Sequence, residues 1–390
     1  MQSPSEQRAT GTLDEIGRRD HEVTSEYRIF GPPGTGKTTN LTRQIRRAVD
    51  RYGAESILVT SFSRGAAAEL AGRDLPIAPD RVGTLHSHCW HALNGPEIAE
   101  ANVDDWNKRY PSFAITPQKR QGRIDGEESM ADDDTEQEKG GDQYLQQLNR
   151  FRGMAMPTHG MSSVLMEFSR KWTEYKEQNG LLDFTDLIAT CLRDVALAPN
   201  NPSVIFADEA QDLNRLQLSL VRKWGERAQY FIVAGDDDQT IYSFTGATPE
   251  AFLDPDIPDD HKIILKQSYR VPRAVHRLAE NLIRSVKRRQ PKEYLPRDAD
   301  GAVVKYTGYD QTYRHAAGDI LNDAEKHLGR GKSVMFLASC SYMLRPLVQV
   351  LRSSGIPFPR RRPVHKSSLL PGGKSAGLAH ERGMPANTPQ

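Results

Sequence analysis

The chain has 390 residues, of which 37% are hydrophobic and 26% are charged, so it is long enough for about two or three domains that each bury a core. Its 52 lysine and arginine residues balance 51 acidic residues, which excludes a globally basic nucleic-acid binder and leaves only local patches for phosphate backbones. Three distant cysteines, a polar N-terminal stretch and the lack of an apolar run of about 18 residues argue against a secreted disulfide scaffold and a membrane protein, and we expect a cytoplasmic protein.

Short runs of Val, Ile and Phe alternate with amphipathic stretches along most of the chain. Helices are expected where apolar residues recur at helical spacing: after residue 40, between 213 and 224, and between 275 and 286. Alternating strands and helices predict an α/β fold with helices on both faces of a parallel sheet. The predicted buried strands lie at 27–30, 56–62, 203–207, 230–235 and 262–266.

Two segments interrupt this pattern. Residues 125–142 carry nine acidic residues and one lysine, with glycine and serine between them, which predicts a solvated, disordered insertion. The stretch from residue 352 onward carries seven basic residues against one acidic residue, and many Pro, Gly and Ser residues. Its composition indicates a frayed, disordered end, with a phosphate-binding arm as the alternative.

A glycine-rich loop follows the first predicted strand and precedes the first predicted helix. Its sequence GPPGTGKT matches G-x-x-x-x-G-K-[ST], a phosphate-binding loop. Glycines let backbone N–H groups wrap the β-phosphate, Lys37 reaches the β- and γ-phosphates, and the Thr38 hydroxyl binds Mg²⁺. The predicted nucleotide-binding residues of this loop are Gly31, Pro32, Pro33, Gly34, Thr35, Gly36, Lys37, Thr38 and Thr39.

An acidic pair follows the buried run at 203–207 and supplies the second metal anchor that such a loop needs. We expect Asp208 to hold Mg²⁺ through water, and Glu209 to polarise the attacking water as a general base. Without the loop, this pair would indicate only a solvated strand end. Together the two motifs predict an enzyme that hydrolyses a nucleotide.

Further motifs are similar to those of a known family. The runs VIFADEAQDLN (204–214), GDDDQTIYSFTGA (235–247) and LKQSYR (265–270) resemble superfamily-1 DNA helicases of the UvrD/Rep/PcrA type. The resemblance covers about residues 27 to 360, and it implies ATP as the nucleotide and a RecA-like P-loop NTPase fold. Three more runs look like the remaining N-terminal motifs of that family, in family order: TSFSRGAAAEL (60–70), GTLHSHC (83–89) and DFTDLI (183–188).

The resemblance assigns roles to three more residues at the nucleotide. Gln239 would sense the γ-phosphate or the attacking water, with a polar turn residue as the alternative. Arg270 would act as an arginine finger, because a planar guanidinium can bridge several phosphoryl oxygens. Tyr269 would stack on adenine, with a partly buried core tyrosine as the alternative. The predicted catalytic residues are Lys37, Glu209, Gln239 and Arg270.

For single-stranded DNA the resemblance implies aromatic residues that stack on bases and polar residues beside them. Each aromatic residue could equally belong to the core. Thr245 stands where the family usually has Arg, so a cation is missing there. The histidines at 86–91 also allow a zinc site, but they lack the paired ligands elsewhere that zinc needs. The predicted DNA-binding residues are Phe62, Arg64, Thr84, His86, Phe184, Tyr242 and Phe244.

The resemblance also implies a domain division. A strand and a helix closed by Gly355 are expected at 333–358, in a partial second RecA-like domain. The family motifs beyond that point do not occur, so we expect a truncated or split helicase, and no clear glutamine motif precedes the loop. The expected domains are the first RecA-like motor domain at 1–92 and 176–262, a mainly helical insertion at 93–175, the partial second domain at 263–360 and a disordered basic tail at 361–390.

Three functions are consistent with these motifs. The first is an ATP-dependent DNA helicase or translocase that uses Mg²⁺ and unwinds duplex DNA with the family's 3′ to 5′ polarity, in repair or replication. Its partners would be single-stranded DNA, single/double-strand junctions and a second polypeptide that supplies the missing motor half. The second is a fragment that binds ATP and single-stranded DNA without unwinding. The third is a P-loop enzyme unrelated to DNA, such as a small-molecule kinase, in which Phe62, Tyr242 and Phe244 belong to the core.

Overall fold

The computed structural model describes residues 26–117, 139–304, 314–338, 341–356 and 358. The disorder expected at 125–138 and the tail expected at 361–390 lie outside the described residues. The end of the acidic segment is described, and the disorder predicted through residue 142 is wrong there. Asp142 begins a helix, and its carboxylate accepts hydrogen bonds from the Thr116 N–H, the Thr116 hydroxyl and the Lys139 N–H at 2.6 to 2.8 Å.

The described residues form one parallel sheet of six strands, in the order β3-β2-β4-β5-β1-β6. This confirms the predicted α/β fold with a parallel sheet. The short strand β3 was not predicted, because three residues are too few to show a periodic pattern. The strands are β1 (Glu26–Phe30), β2 (Ile57–Ser61), β3 (Val82–Thr84), β4 (Val204–Asp208), β5 (Tyr230–Gly235) and β6 (Lys262–Ile264).

Helices connect these strands and lie on both faces of the sheet, as parallel connections require. No helix in the described ranges is long and apolar enough to cross a membrane. The helices are α1 (Lys37–Tyr52), α2 (Arg64–Ala71), α3 (Leu85–Ala92), α4 (Asp104–Arg109), α5 (Asp142–Gly153), α6 (Ser163–Asn179), α7 (Phe184–Asp194), α8 (Arg215–Gly225), α9 (Pro249–Leu253), α10 (Arg273–Ile283), α11 (Arg314–Leu328) and α12 (Arg345–Ser353).

Two hydrophobic cores lie on opposite faces of the sheet, because successive strand residues point to opposite sides. In β4, Phe206 packs in the same core as Leu41 and Ile45 of α1. Its neighbour Ile205 packs in the other core, with Leu220 of α8. Each of these five side chains is at most 1% exposed, so each contributes about 1.5–3 kcal/mol of apolar burial.

The helices α4, α5 and α6 surround a third core, which is rich in aromatic side chains. Trp106 lies edge-on to Trp172 with ring centroids 4.9 Å apart, and Phe168 packs beside both. Helix α6 ends at Gly180, whose φ of +64° suits glycine, so this helix runs past the boundary expected at residue 175. The domain division itself stays a prediction.

The segment after residue 262 differs from expectation in two places. Strand β6 crosses the boundary expected between residues 262 and 263, because Lys262 to Ile264 pair with β1. The strand expected from residue 333 is wrong for the described residues 333–338, which have no regular secondary structure and leave Leu337 85% exposed. The expected helix is present as α12. The Gly355 and Ile356 N–H groups donate to the Arg352 and Leu351 carbonyls, so the turn at Gly355 closes the helix after Ser353, as predicted.

Candidate active site

Four neighbouring strands, β4, β5, β1 and β6, end at the same edge of the sheet, and the segments that follow them meet there. The loop after β1 is held to the end of β5 by a hydrogen bond of 3.0 Å from the Gly31 N–H to the Gly235 carbonyl. Gly34 and Gly36 have φ of +77° and +80°, which glycine adopts without steric cost. The loop therefore turns directly into α1, whose first backbone N–H groups face the edge.

Lys37 and Glu209 form an ion pair at this edge, with 2.5 Å between Lys37 Nζ and Glu209 Oε2. Burial opposes the charged form of Lys37, but the attraction of Glu209 and Asp208 is stronger, and the pKa of Lys37 is raised. Burial likewise opposes ionisation of Glu209, but the attraction of the Lys37 charge is stronger, and the pKa of Glu209 is lowered. Both groups are therefore charged at neutral pH.

The carboxylates around this pair carry more negative charge than Lys37 balances. Burial and the charge of Glu209 raise the pKa of Asp208 to about 7 and that of Asp212 to about 7. Asp208 accepts the Glu209 N–H at 3.0 Å, and Glu209 itself has φ of +52°, a left-handed conformation that turns its side chain from the strand toward Lys37. Such an excess of buried negative charge favours a bound cation.

Asp208 and Thr38 are the residues that could hold this cation. A Mg²⁺ ion needs few protein ligands, because water and phosphate oxygens complete its octahedron. The described residues contain no group of three or more His, Cys, Asp or Glu side chains arranged to hold a metal. One carboxylate and one hydroxyl beside a phosphate loop fit Mg²⁺ in a nucleotide complex, whereas they do not fit a zinc site.

Two side chains that the sequence analysis missed connect Glu209 with Gln239. Gln211 donates from Nε2 to Glu209 at 2.9 Å, and its Oε1 accepts the Asp236 N–H at 3.1 Å. Gln239 donates in turn to Asp236 Oδ2 at 2.5 Å. Both missed residues lie inside the quoted motifs, so their spacing from Glu209 and Gln239 was the available signal. The amide of Gln239 is thus tied to the same edge as Glu209.

The segment after β6 forms the opposite wall of the loop. The Tyr269 N–H donates to the Gly34 carbonyl at 2.8 Å, and the buried Ser268 hydroxyl donates to the Pro33 carbonyl at 2.9 Å. Arg270 lies against Gly34, since an added Cβ on that glycine would be 2.5 Å from Arg270 Cβ. The Tyr269 side chain is 75% exposed beside the loop, so it is not a core tyrosine.

Three of the residues predicted to bind DNA form an aromatic row. The ring of Tyr242 lies 4.8 Å from that of Phe62 and 5.8 Å from that of Phe244. Phe244 is 38% exposed, and Phe62 is partly buried against the core. Arg64, the first residue of α2, is also partly buried. Tyr242, the central ring of the row, lies three residues after Gln239, so one short segment joins the row to the edge of the sheet that carries Lys37 and Glu209, the candidate nucleotide edge.

The other three predicted DNA-binding residues are buried. Thr84 is 2% exposed, and its hydroxyl accepts the Ser87 N–H and so caps α3. Phe184 is 5% exposed and belongs to a core of the sheet, with its ring 5.9 Å from that of His86. Burial also lowers the pKa of His86 to about 4, so this side chain is neutral. None of the three presents a face to a base in this conformation.

Comparison of the sequence with known proteins supports the assignment of these motifs to a helicase family. A family model described as the UvrD/REP helicase N-terminal domain matches residues 18–257. The ATP-dependent DNA helicase PcrA of Staphylococcus aureus is 24% identical over 367 residues, which cover 85% of this chain and 48% of the relative. The protein of the same name from Staphylococcus epidermidis matches with the same identity and coverage. The chain spans about half the length of these curated relatives.

Proposed function

Because the chain belongs to the family of the UvrD/REP helicase N-terminal domain, we propose that it binds and hydrolyses ATP and couples this to movement on single-stranded DNA. Within the whole helicase, this motor would unwind duplex DNA, with 3′ to 5′ polarity. The observation that carries the proposal is the ion pair between Lys37 and Glu209 at the mouth of the phosphate loop. It brings a phosphate-binding cation and a candidate general base within 2.5 Å of each other.

In this proposal, the γ-phosphate of ATP competes with Glu209 for the Lys37 ammonium. Once Lys37 turns to the phosphate, Glu209 becomes available to accept a proton from the attacking water. Gln211, which donates to Glu209, keeps that carboxylate oriented during the exchange. Gln239 would then contact the γ-phosphate or the water from the neighbouring strand end.

Mg²⁺ is proposed as the cation that Asp208 and Thr38 hold. When bound, it neutralises phosphate charge and the excess carboxylate charge of the site. Asp208, with a pKa of about 7, would ionise fully beside the cation. Arg270 is proposed as the guanidinium that stabilises charge on the transferred phosphoryl group, and the exposed Tyr269 ring as the surface on which adenine stacks.

Coupling to DNA is proposed through the segment from Asp236 to Phe244. Gln239 stands at its nucleotide end, and Tyr242 and Phe244 stand in the aromatic row, where bases could stack. A shift of the Gln239 side chain between the ATP and ADP complexes would therefore reach Tyr242 and Phe244 through a few residues of backbone. Burial of Thr84, His86 and Phe184 means that their proposed contacts with DNA require a rearrangement, so Tyr242, Phe244 and Phe62 are the stronger candidates.

The test is the rate of ATP hydrolysis by the purified chain with and without single-stranded DNA. We expect hydrolysis that DNA stimulates, and a loss of about 10²–10⁴-fold in the hydrolysis rate of Glu209→Gln at saturating ATP. Glu177→Gln, an exposed glutamate on α6, is the matched control. Full activity in Glu209→Gln would reject the assignment of the base. Unchanged DNA stimulation in Phe244→Ala would reject the aromatic row as the DNA contact.

A second candidate is an ATP- and DNA-binding unit that does not unwind by itself. Helix α10 favours it, because Leu278 is 56% and Leu282 is 75% exposed, so the apolar side of this helix is not covered by the described residues. Strand separation on a duplex with a single-stranded tail distinguishes the two candidates. Unwinding by the chain alone would reject the second, whereas ATP hydrolysis without unwinding would support it.

A further inference from the structure

Three consecutive aspartates follow β5, and one lysine from the segment after α10 contacts all of them. Lys292 Nζ lies 2.6 Å from Asp236 Oδ1, 2.5 Å from Asp237 Oδ1 and 2.9 Å from Asp238 Oδ2. The Lys292 side chain is 1% exposed. Its ammonium group therefore donates hydrogen bonds to two carboxylates and forms an ion pair with the third, away from solvent.

A second cation and a backbone group complete this cluster. Arg289 donates from Nε and Nη2 to the two oxygens of Asp238, at 2.9 and 2.5 Å. The Gln290 N–H donates to Asp237 Oδ2 at 2.8 Å. Asp237 and Asp238 thus keep a short hydrogen bond of their own when Lys292 is removed, whereas Asp236 Oδ1 keeps the longer bond from the Asp238 N–H at 3.4 Å. The lysine contact that matters most for the site is the one to Asp236.

Asp236 links Lys292 to the nucleotide edge. Lys292 binds Oδ1 of this carboxylate, and Gln239 donates to Oδ2 at 2.5 Å. The carboxylate is buried, and its backbone N–H is held by Gln211, which also holds Glu209. Because both oxygens of this carboxylate accept hydrogen bonds, it cannot rotate without breaking at least one of them. The position of the Gln239 amide therefore depends on Lys292.

We propose that Lys292 is a positioning residue that orients Gln239, through Asp236, for contact with the γ-phosphate of ATP. This rests on the function proposed above. The hydrogen bonds and ion pairs of Lys292 go to the three aspartates, so its proposed effect on the γ-phosphate passes through Asp236 and Gln239. Its neighbour Tyr294 donates to the Pro33 carbonyl of the phosphate loop at 2.7 Å, so the segment 289–294 contacts both the loop and the aspartates.

The competing explanation is that Lys292 only neutralises three buried acids. Removal of a cation from such a cluster leaves carboxylates without compensation, which costs stability whatever the role of Gln239. The two explanations differ in what happens when the charge is rebalanced without the lysine. Asp237→Asn removes one negative charge and leaves Asp236 and Gln239 in place, so Lys292→Met with Asp237→Asn restores the balance but not the Lys292–Asp236 contact.

The experiment measures the dissociation constants of ATP and of ADP for the full chain, with a fluorescent nucleotide analogue as competitor. The ratio of the two reports the γ-phosphate contact and does not require hydrolysis. We expect Lys292→Met to lower the preference for ATP by about tenfold, the scale of one hydrogen bond to a charged group, at unchanged ADP affinity. Gln239→Ala should do the same, and the double variant should lose no more than either alone.

Two further variants decide the matter. Lys266→Met, which removes an exposed ion pair with Glu293 next to Lys292, should leave the ratio unchanged. Lys292→Met with Asp237→Asn should recover stability toward denaturant yet keep the weakened preference. Recovery of the preference together with stability, or additive losses in the double variant with Gln239→Ala, would overturn the proposal. Failure of the unaltered chain to bind ATP at all would instead overturn the proposed function on which it rests.

Discussion

A single methyl group at Gly34 tests how the phosphate loop and Arg270 depend on each other. The loop passes so close to the segment after β6 that a Cβ on Gly34 would lie 2.5 Å from Arg270 Cβ and 2.8 Å from Ser268 Oγ. Arg270 Cβ is fixed to the backbone, so it cannot swing away as the end of a long side chain can. Gly34→Ala must therefore push the loop and Arg270 apart.

The size of the effect follows from these distances. Ordinary carbon contacts begin near 3.4 Å, so the loop and Arg270 must separate by about 1 Å. Misplacement of a catalytic group by about 1 Å costs about 100-fold in rate, or about 2.7 kcal/mol. The left-handed backbone at φ +77° adds about 1–2 kcal/mol of lost stability once glycine is replaced.

Gly180→Ala, at the end of α6 and away from the site, is the matched control for this variant. Gly180 is also left-handed, with φ of +64°, but a Cβ there would meet nothing within 4 Å. Both variants should therefore lose a similar amount of unfolding free energy in denaturant titrations. Only Gly34→Ala should also lose about 100-fold in kcat at saturating ATP. Equal kcat values in the two variants would refute the inference that contact with Gly34 positions Arg270 for hydrolysis.

Three further outcomes are expected. Burial and the nearby Asp183 raise the pKa of Glu100 from 4.5 to about 8, so the folded state loses stability as pH rises from about 4.5 to about 8. Glu100→Gln should therefore raise the free energy of unfolding more at about pH 9 than at about pH 5, and an equal change at both would contradict this. Burial lowers the pKa of His86 and of His88 to about 4, so the unfolded chain takes up protons at a higher pH than the folded chain does. The free energy of unfolding should therefore fall as pH drops from about 6.5 to about 4. If the dependence of this free energy on pH is unchanged in His88→Gln, measured by urea titration, the explanation is wrong. Tyr269→Ala should weaken ATP binding about tenfold in fluorescence titrations, while the free energy of unfolding changes by less than about 0.5 kcal/mol. A large loss of unfolding free energy would instead indicate that the Tyr269 side chain belongs to the core.

Much of the sheet could be predicted from the sequence, because a parallel strand buried on both faces is a continuous apolar run. Each of the five predicted runs overlaps a strand of the sheet. The expected strand at 333–338 shows the limit of this argument. Apolar residues there satisfy the pattern, but a strand also needs a partner, and no strand of the described residues pairs with it.

Only some of the predicted site residues could likewise be placed from the sequence. Lys37, Asp208 and Glu209 could be placed together from motifs alone, because loops after parallel strands meet at one edge of a sheet. The burial of Thr84 and Phe184 could not be foreseen, since an aromatic or hydroxyl side chain fits a core and a DNA surface equally well. Nothing local to residue 292 indicates that its side chain is buried among aspartates 54 to 56 positions earlier.

The sequence by itself determined the fold class and the family and indicated the candidate site residues, because these depend on short patterns: strand periodicity, a glycine-rich turn, an acidic pair after a strand. Only the tertiary structure decided which side chains orient those groups. Lys292 and Ser268 come from segments distant from the aspartates and from the phosphate loop that they contact, and their effect depends on distances of about 3 Å that no local pattern encodes. Pairing between buried charges is a property of the packed chain, because only packing removes the water that would otherwise screen them.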